Sequence, residues 1–449
     1  MQVVTATFAR FAAGLTCESL PEEARIAAHR VLLDWLGNAY TGVATGAGRM
    51  VHGVVVEEGG VPEATLIGFG ARSSALNAAL VNGATSHVGE YDDIYRSAIY
   101  HPGSPTIAAV LAVAEKLHAD GKRLIAGIVA GYEVGTRIGE AIMPFHYRYW
   151  HITGTAGTFG AAAAAGNLLG LSEEQMTWAL GSAGSQAAGL WQFLEDGQMM
   201  TKPLHTAKAA SNGVLAALLA KRGFNGATRI LEGEKGFCAA TSTAWSFDKV
   251  LPTLGEHYNV VDTTFKAYPS CGHTHPAIDA TFGILGSHGV RPEEVESILV
   301  RTYSVAHDIA GNPNPETTYQ AKFSIPYCVA IALRFGRVGT AEFAQERVVD
   351  PETVALMWRV KVEPDPELSA IAPAKRPAIV QITTRSGQSY SHRVDFRKGD
   401  PENPPTQQEL EDKFRDLASA TLSAEEAEAT LRAIARVEEF QDVSSLLKR

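Results

Sequence analysis

The amino-acid sequence predicts a multidomain protein, in which a large all-α helical domain carries a smaller α+β domain as an insertion. Three observations lead there. The chain has 449 residues, more than one hydrophobic core ordinarily serves. From Pro21 to about Arg222 apolar residues recur with the helical period, punctuated by Gly, Ser and Pro. After about Phe265 the pattern turns to strand-like alternation, and beyond Pro405 it returns to charged helix. The predicted division is therefore 1–265 with 397–449 for the helical domain, and 266–396 for the α+β domain.

Each element has a local reason. Ser74 is placed to cap a helix running through Leu80 to about Glu90. Ser104-Pro105 marks the next start, with proline at the first helical position, and that helix continues through Thr106–His118 to stop near Gly121. Ser172 and Gln175 form a capping box. Pro203 opens a helix that ends at Arg222-Gly223. In the second domain Ser297–Tyr303 and Ala378–Thr384 read as strands, with Gly387 as a turn and Ser389–Val394 as the returning strand. A helix begins near Ile325. Asp400–Pro405 is rich in proline and polar residues and marks a boundary. The stretches Ile152–Leu171 and Thr177–Leu194 approach membrane-spanning length. Gly, Ser, Thr and Gln dilute both, so they read as buried helices of a close-packed bundle and no membrane association is expected.

Composition narrows the function. Hydrophobic residues make up 45% and charged residues 20%, the mix of a soluble globular chain. The net charge of −10 comes with no basic tail or arginine stripe, which excludes nucleic acid as an expected partner. An acidic protein that binds an anion must gather its positive charge locally. The four cysteines, Cys17, Cys238, Cys271 and Cys328, form no C-x-x-C pair. They suit a reducing, cytoplasmic setting. The first residues lack the basic start and long apolar run of a secretory signal. No glycine fingerprint follows a strand and no P-loop is present, so no nucleotide cofactor is expected.

One pattern repeats. His101, Lys202 and His275 each precede a proline near a helix start, and His151 precedes Thr153-Gly154-Thr155 and another apolar helix. Residues before proline are pushed out of the α region and so sit at the helix entry. Free N–H groups make such entries favourable for anions. Four such side chains would form a carboxylate pocket if they converged, although any one alone is ordinary local grammar. In the segment Gly83–Asp93, His87 and Glu90 are spaced to share a helix face. Asp92 and Asp93 stand at the unfavourable end of that helix, which implies partners. Tyr327 lies near a helix start and could donate a proton. His307-Asp308 lacks further metal ligands at regular spacing. Two other classes remain open from these residues: a metal-dependent hydrolase using His87, Asp92, Asp93 and His101, and a non-catalytic carboxylate-binding protein.

The runs VNGATSHVGEYDDIYRSAIYHPGSPTIAAVLAVAE, HITGTAGTFGAAAAAGNLLGL, KPLHTAKAASNGVLAALLAKRGF, YPSCGHTHPAIDA and KFSIPYCVAIAL resemble the MmgE/PrpD family, in the family's order. The resemblance implies a helical domain with a smaller lid domain, a homodimer, a site between the domains, and no metal or organic cofactor. It implies proton transfer beside a carboxylate of a small di- or tricarboxylic acid. The family includes 2-methylcitrate dehydratase, cis-aconitate decarboxylase and iminodisuccinate epimerase, and a hydro-lyase is the first expectation. Carried over residue by residue, the resemblance gives His101, His151, Lys202, His275 and Tyr327 as catalytic. It gives Glu90, Asp93, Lys208 and His273 as substrate-binding. Glu90 departs from the aspartate common in relatives, and Gly272-His273 stands where some relatives carry Arg-Tyr.

Overall fold

The computed structural model describes residues 3–372 and 374–447. The chain forms two compact units: one takes the residues up to Thr264 together with those from Thr406 onward, the other is Phe265–Pro405. A large helical unit and a smaller α+β unit are thus both present. Residues 397–405, read from sequence with the helical part, go with the second unit for a physical reason. Arg397 donates to the Gly272 carbonyl (2.7 Å), the Lys398 amide donates to Asp279 (2.6 Å), and the Phe265 amide donates to the Gly399 carbonyl (3.0 Å).

The first unit is built from α1 (Val4–Gly14), α2 (Glu22–Val43), α3 (Ala75–Val88), α4 (Gly103–Leu117), α5 (Gly121–Ile142), α6 (Ile152–Leu168), α7 (Glu173–Gly184) and α8 (Thr201–Lys221). Its centre is α6, whose Gly- and Ala-rich sequence is buried on all sides. Small residues let neighbouring backbones approach closely. A Cβ added at Gly213 of α8 would stand 2.4 Å from that of Ala161 in α6, and one at Gly42 of α2 would stand 2.0 Å from the Thr85 carbonyl oxygen in α3. The first apolar run is therefore bundle interior, whereas Thr177–Leu194, expected as a buried helix, leaves its helix at Gly184 and carries Leu190 and Leu194 exposed on the segment that follows. Among the described residues no helix is long and apolar enough to cross a membrane. Ser74 caps α3 and the Ser172–Gln175 capping box opens α7, as read from sequence. A short hairpin, Ala64–Leu66 against Ala71–Ser73, interrupts the helical stretch where only helix was expected.

In the second unit α9 (His275–His288) leads to β1 (Val295–Thr302), α10 (Ile325–Phe335), β2 (Val360–Pro364), β3 (Ala378–Thr384) and β4 (Ser389–Val394). The sheet order is β2-β1-β3-β4, with β1–β2 parallel and the other pairs antiparallel. Gly387, at φ 83°, makes the β3–β4 turn. The inward residues Ile298, Val300, Val380 and Ile382 join Ile278 and Val329 of α9 and α10 in one core. Strand β2 escaped the sequence reading because Lys-Val-Glu-Pro offers too few apolar positions. It is an edge strand, where such residues are tolerated. After it, the chain returns to the first unit through α11 (Gln407–Ala418) and α12 (Ala424–Ala435), each opened by a capping box.

His146 shows what this packing costs at acid pH. Its ring is fully buried, with Nε2 2.9 Å from the Thr155 hydroxyl and Nδ1 3.1 Å from that of Thr241. Burial pushes its pKa down to about 4, the Thr241 carbonyl opposing weakly. Between the ordinary histidine value of about 6.5 and that folded value, the unfolded chain binds a proton and the folded chain does not, so stability falls as pH drops. The full effect is on the order of 3 kcal/mol. Urea unfolding at pH 7 and pH 4.5 will show a smaller acid loss for His146→Gln than for the wild type; equal losses would contradict this.

Candidate active site

The site of the first unit is organised by the loop between α3 and α4. Helix α3 ends at Val88, and Glu90 adopts φ 59°. Glu90 is therefore outside the helix, and the expectation that it shares a helical face with His87 is corrected: the left-handed turn swings it away. Its carboxylate instead forms an ion pair with the Lys202 ammonium, both side chains being nearly buried. The chain then folds back, Tyr95 bridging Tyr100, and enters α4 at Gly103.

Adjacent carboxylates in this loop point to different partners. Asp92 Oδ2 accepts from His87 Nδ1 at 2.6 Å and from the Ser104 hydroxyl at 3.0 Å, and it lies 3.4 Å from His101 Nδ1. Asp93 accepts from the Tyr132 hydroxyl at 2.7 Å and from the Gly103 amide at 3.1 Å. A Cβ on residue 103 would stand 2.6 Å from Asp93 Oδ1, so that contact requires glycine. Ser104 is thus inside the helix and bonded to Asp92, not the cap expected from sequence, because the helix starts two residues earlier, at Gly103.

The two acids also differ in charge. Burial alone would raise the Asp92 pKa, but the imidazoles of His87 and His101 override it and hold the carboxyl well below the usual range. Asp93 is pushed well above it by burial and by the charges of Asp34 and Asp92. The charged form is thus favoured at Asp92 and disfavoured at Asp93. A carboxylate on Nδ1 places the proton there and leaves Nε2 to take or give a proton. The His87 Nε2 is buried with no hydrogen-bond partner among the described residues. Its ring lies 4.9 Å from that of His101 and 5.8 Å from that of His151.

His151 caps the start of α6, with its amide donating to the Gly189 carbonyl at 2.8 Å and its ring 4.6 Å from Trp191. Burial, then the charges of His87, Lys202, His205 and His101, drive its pKa well down, so the ring is neutral. Lys202 and His275 were placed before their helices by the proline rule. They sit within the first turn instead, because the first N–H groups of a helix need no partner and proline is accepted there.

The second unit holds the other candidates. His273 Nδ1 bonds the Tyr303 hydroxyl, and burial, then Arg376 and Arg397, push its pKa down to about 3. His275 is buried with Nε2 3.3 Å from the Ser270 carbonyl and its ring 5.1 Å from Tyr268. Tyr327 is fully buried and donates to the Glu342 carbonyl at 2.6 Å, while burial raises its pKa. Lys208 is exposed on α8. Among the described residues His307 pairs with Asp308, both at the surface.

The first unit thus brings His101, His151, Lys202 and Glu90 into one neighbourhood. From sequence, His87 and Asp92 had a chemical role only in the metal-dependent alternative, beyond the partners implied for Asp92; Ser104 read only as a helix start, and Trp191 and His205 were not named. The available signals were the Asp-Asp pair, whose neighbours in an extended loop must diverge, and the Lys202/His205 spacing on one helix face. His87, Asp92 and His101 do offer ligand atoms within 4.8 Å of one another. However, Asp92 Oδ2 faces the Nδ1 of both imidazoles, and the nitrogen that donates to it has no lone pair for a cation. Asp93 stands apart, on Tyr132 and Gly103.

The first unit thus holds the buried Asp92 carboxylate against two imidazoles, with a nearly buried Lys202–Glu90 ion pair in the same unit. The chain belongs to the MmgE/PrpD family: residues 6–249 match the MmgE/PrpD N-terminal domain and residues 268–439 the MmgE/PrpD C-terminal domain. It is 28% identical to a cis-aconitate decarboxylase of Mus musculus over 100% of this chain and 93% of that protein. It is 25% identical to one of Aspergillus terreus over 99% of this chain and 95% of that protein. It is 23% identical to a 2-methylcitrate dehydratase of Salmonella typhimurium, over 76% of this chain and 74% of that protein. Decarboxylases and dehydratases of this kind are lyases.

The loop is tied from behind. Lys413 of α11 donates to the Tyr91 carbonyl at 2.7 Å and to Asp34 of α2 at 2.6 Å, with its ammonium 4.0 Å from the Tyr91 ring centre. Removing a buried partner of this kind costs roughly 3–5 kcal/mol. Lys413→Met will lower the urea midpoint accordingly, and adding Asp34→Asn will restore part of it. Equal destabilisation with and without the second change would contradict a buried ion pair.

Proposed function

We propose that this protein is a lyase acting on a small di- or tricarboxylic acid, with decarboxylation of a cis-aconitate-like substrate ahead of dehydration of a 2-methylcitrate-like one. The observation that carries the proposal is the Asp92-anchored histidine cluster beside Lys202. The reading shifts weight from the hydro-lyase expected first, because the decarboxylase relatives are similar over the whole chain and the dehydratase over three-quarters.

In either reaction negative charge grows on carbon beside a carboxylate. Cations and donors fixed in place beforehand stabilise that charge without reorganising. Lys202 supplies a positive charge for a substrate carboxylate, with Glu90 orienting it. His101 and His151 exchange protons with the substrate. For decarboxylation the C–C bond breaks, CO₂ leaves, and the electron pair left on carbon takes a proton from an imidazole. Dehydration instead begins with an imidazole removing the proton. An imidazole suits both near neutral pH.

The test is turnover followed by NMR in D₂O with cis-aconitate, 2-methylcitrate, citrate and iminodisuccinate. A decarboxylase will release CO₂ from cis-aconitate and place one deuterium in the product. Turnover of 2-methylcitrate alone would favour the dehydratase, and epimerisation of iminodisuccinate would displace both. His101→Ala and His151→Ala will each lower kcat by about 100-fold or more, with little change in thermal unfolding. Full activity in both variants would overturn their roles. Activity should survive exhaustive chelation; loss restored by stoichiometric metal would instead support the metal-dependent reading.

A further inference from the structure

His205 lies outside the Asp92 cluster, yet its Nδ1 faces His151 Nδ1 at 3.2 Å. Two imidazole nitrogens can share a hydrogen bond only if one carries a proton and the other does not. The state of either ring therefore fixes that of the other. The contact is held firmly. His205 sits three residues after Lys202 on α8, with Phe193 edge-on at 5.4 Å. An added Cβ at Gly189 would stand 3.1 Å from its Nδ1, and one at Gly154 would stand 3.2 Å from its Cβ. The partly buried ring thus sits where glycines allow close approach. His87, His101 and Lys202 are the other titratable groups acting on this pair.

We propose that His205 is a positioning residue that donates its Nδ1 proton to His151 and so holds the His151 proton on Nε2. His151 then presents an Nε2–H to the substrate; as that proton is given up, its Nδ1 takes the His205 proton and His205 Nε2 takes one from water, so that neither ring is left as an anion. Reversal of the bond would put the His151 proton on Nδ1 and leave a base. The need for a donor rests on the decarboxylase reading, since the carbanion left by loss of CO₂ must gain a proton. The geometric claim, that one ring sets the tautomer of the other, does not depend on that reading. Burial, then the charges of His87 and Lys202, lower the His205 pKa to about 4, which fits a neutral partner.

Three substitutions separate the possibilities. Gln at 205 can still donate, Glu can only accept, and Leu can do neither. Long-range ¹H–¹⁵N spectra of the full chain at pH 7.5 will show His151 protonated at Nε2 in the wild type and in His205→Gln. They will show it protonated at Nδ1 in His205→Glu. On the substrate identified above, His205→Gln will keep kcat within about three-fold. His205→Glu and His205→Leu will lose about ten-fold or more with KM little changed. A wild-type His151 protonated at Nδ1, or unchanged kcat in both the Glu and Leu variants, would overturn the proposal. If the wild type turns over none of the acids, the lyase reading fails, and the spectra still decide the role of His205.

Discussion

The charge on Asp92 is the constraint on which the candidate site depends. A carboxylate with no solvent exposure is costly unless donors surround it. Here His87, Ser104 and His101 converge on the same oxygen. Those contacts hold two imidazoles in defined orientations, and the His87 Nε2, away from the carboxylate, has no hydrogen-bond partner among the described residues. The neighbouring Asp93 has the opposite character, because burial and the nearby charges of Asp34 and Asp92 favour its neutral form. Two adjacent acids thus divide the work: one orients and polarises the histidines, while the other ties the loop to Tyr132 and to the start of α4.

The helical bundle exists to hold this loop. Glu90 and Ile99 both take left-handed backbone angles, which non-glycine residues adopt only when their surroundings fix them. Lys413 supplies one such fixture by gripping the Tyr91 carbonyl. It lies on the helix to which the chain returns after building the second unit, so residues far apart in sequence meet at this loop. The small-residue interior of α6 and α8 supplies another. Close backbone approach there brings His151, Lys202 and His205 toward the same region.

Much of this was legible in the sequence. The Gly- and Ala-rich runs, the capping box at Ser172, and the alternation in Ala378–Thr384 each follow from local rules. The large helical part and the smaller α+β part could therefore be read directly. The motifs around His101, His151 and Lys202 carried the family. Other features depended on tertiary partners. Glu90 continued a helical pattern on paper, but a left-handed turn ended the helix before it. Ser104 had the form of a cap, yet its hydroxyl was needed by Asp92. His205 was hidden because its significance lies in a contact with a ring 54 positions away. Strand β2 was too polar to be read as a strand, and it exists because β1 offers it an edge.

The account stands on where the protons sit around Asp92, and neutron diffraction from a perdeuterated crystal at neutral pH would show them. Deuterium is expected on His87 Nδ1, facing a bare Asp92 carboxylate. Deuterium on Asp92, or a bare Nδ1 on His87, would contradict this.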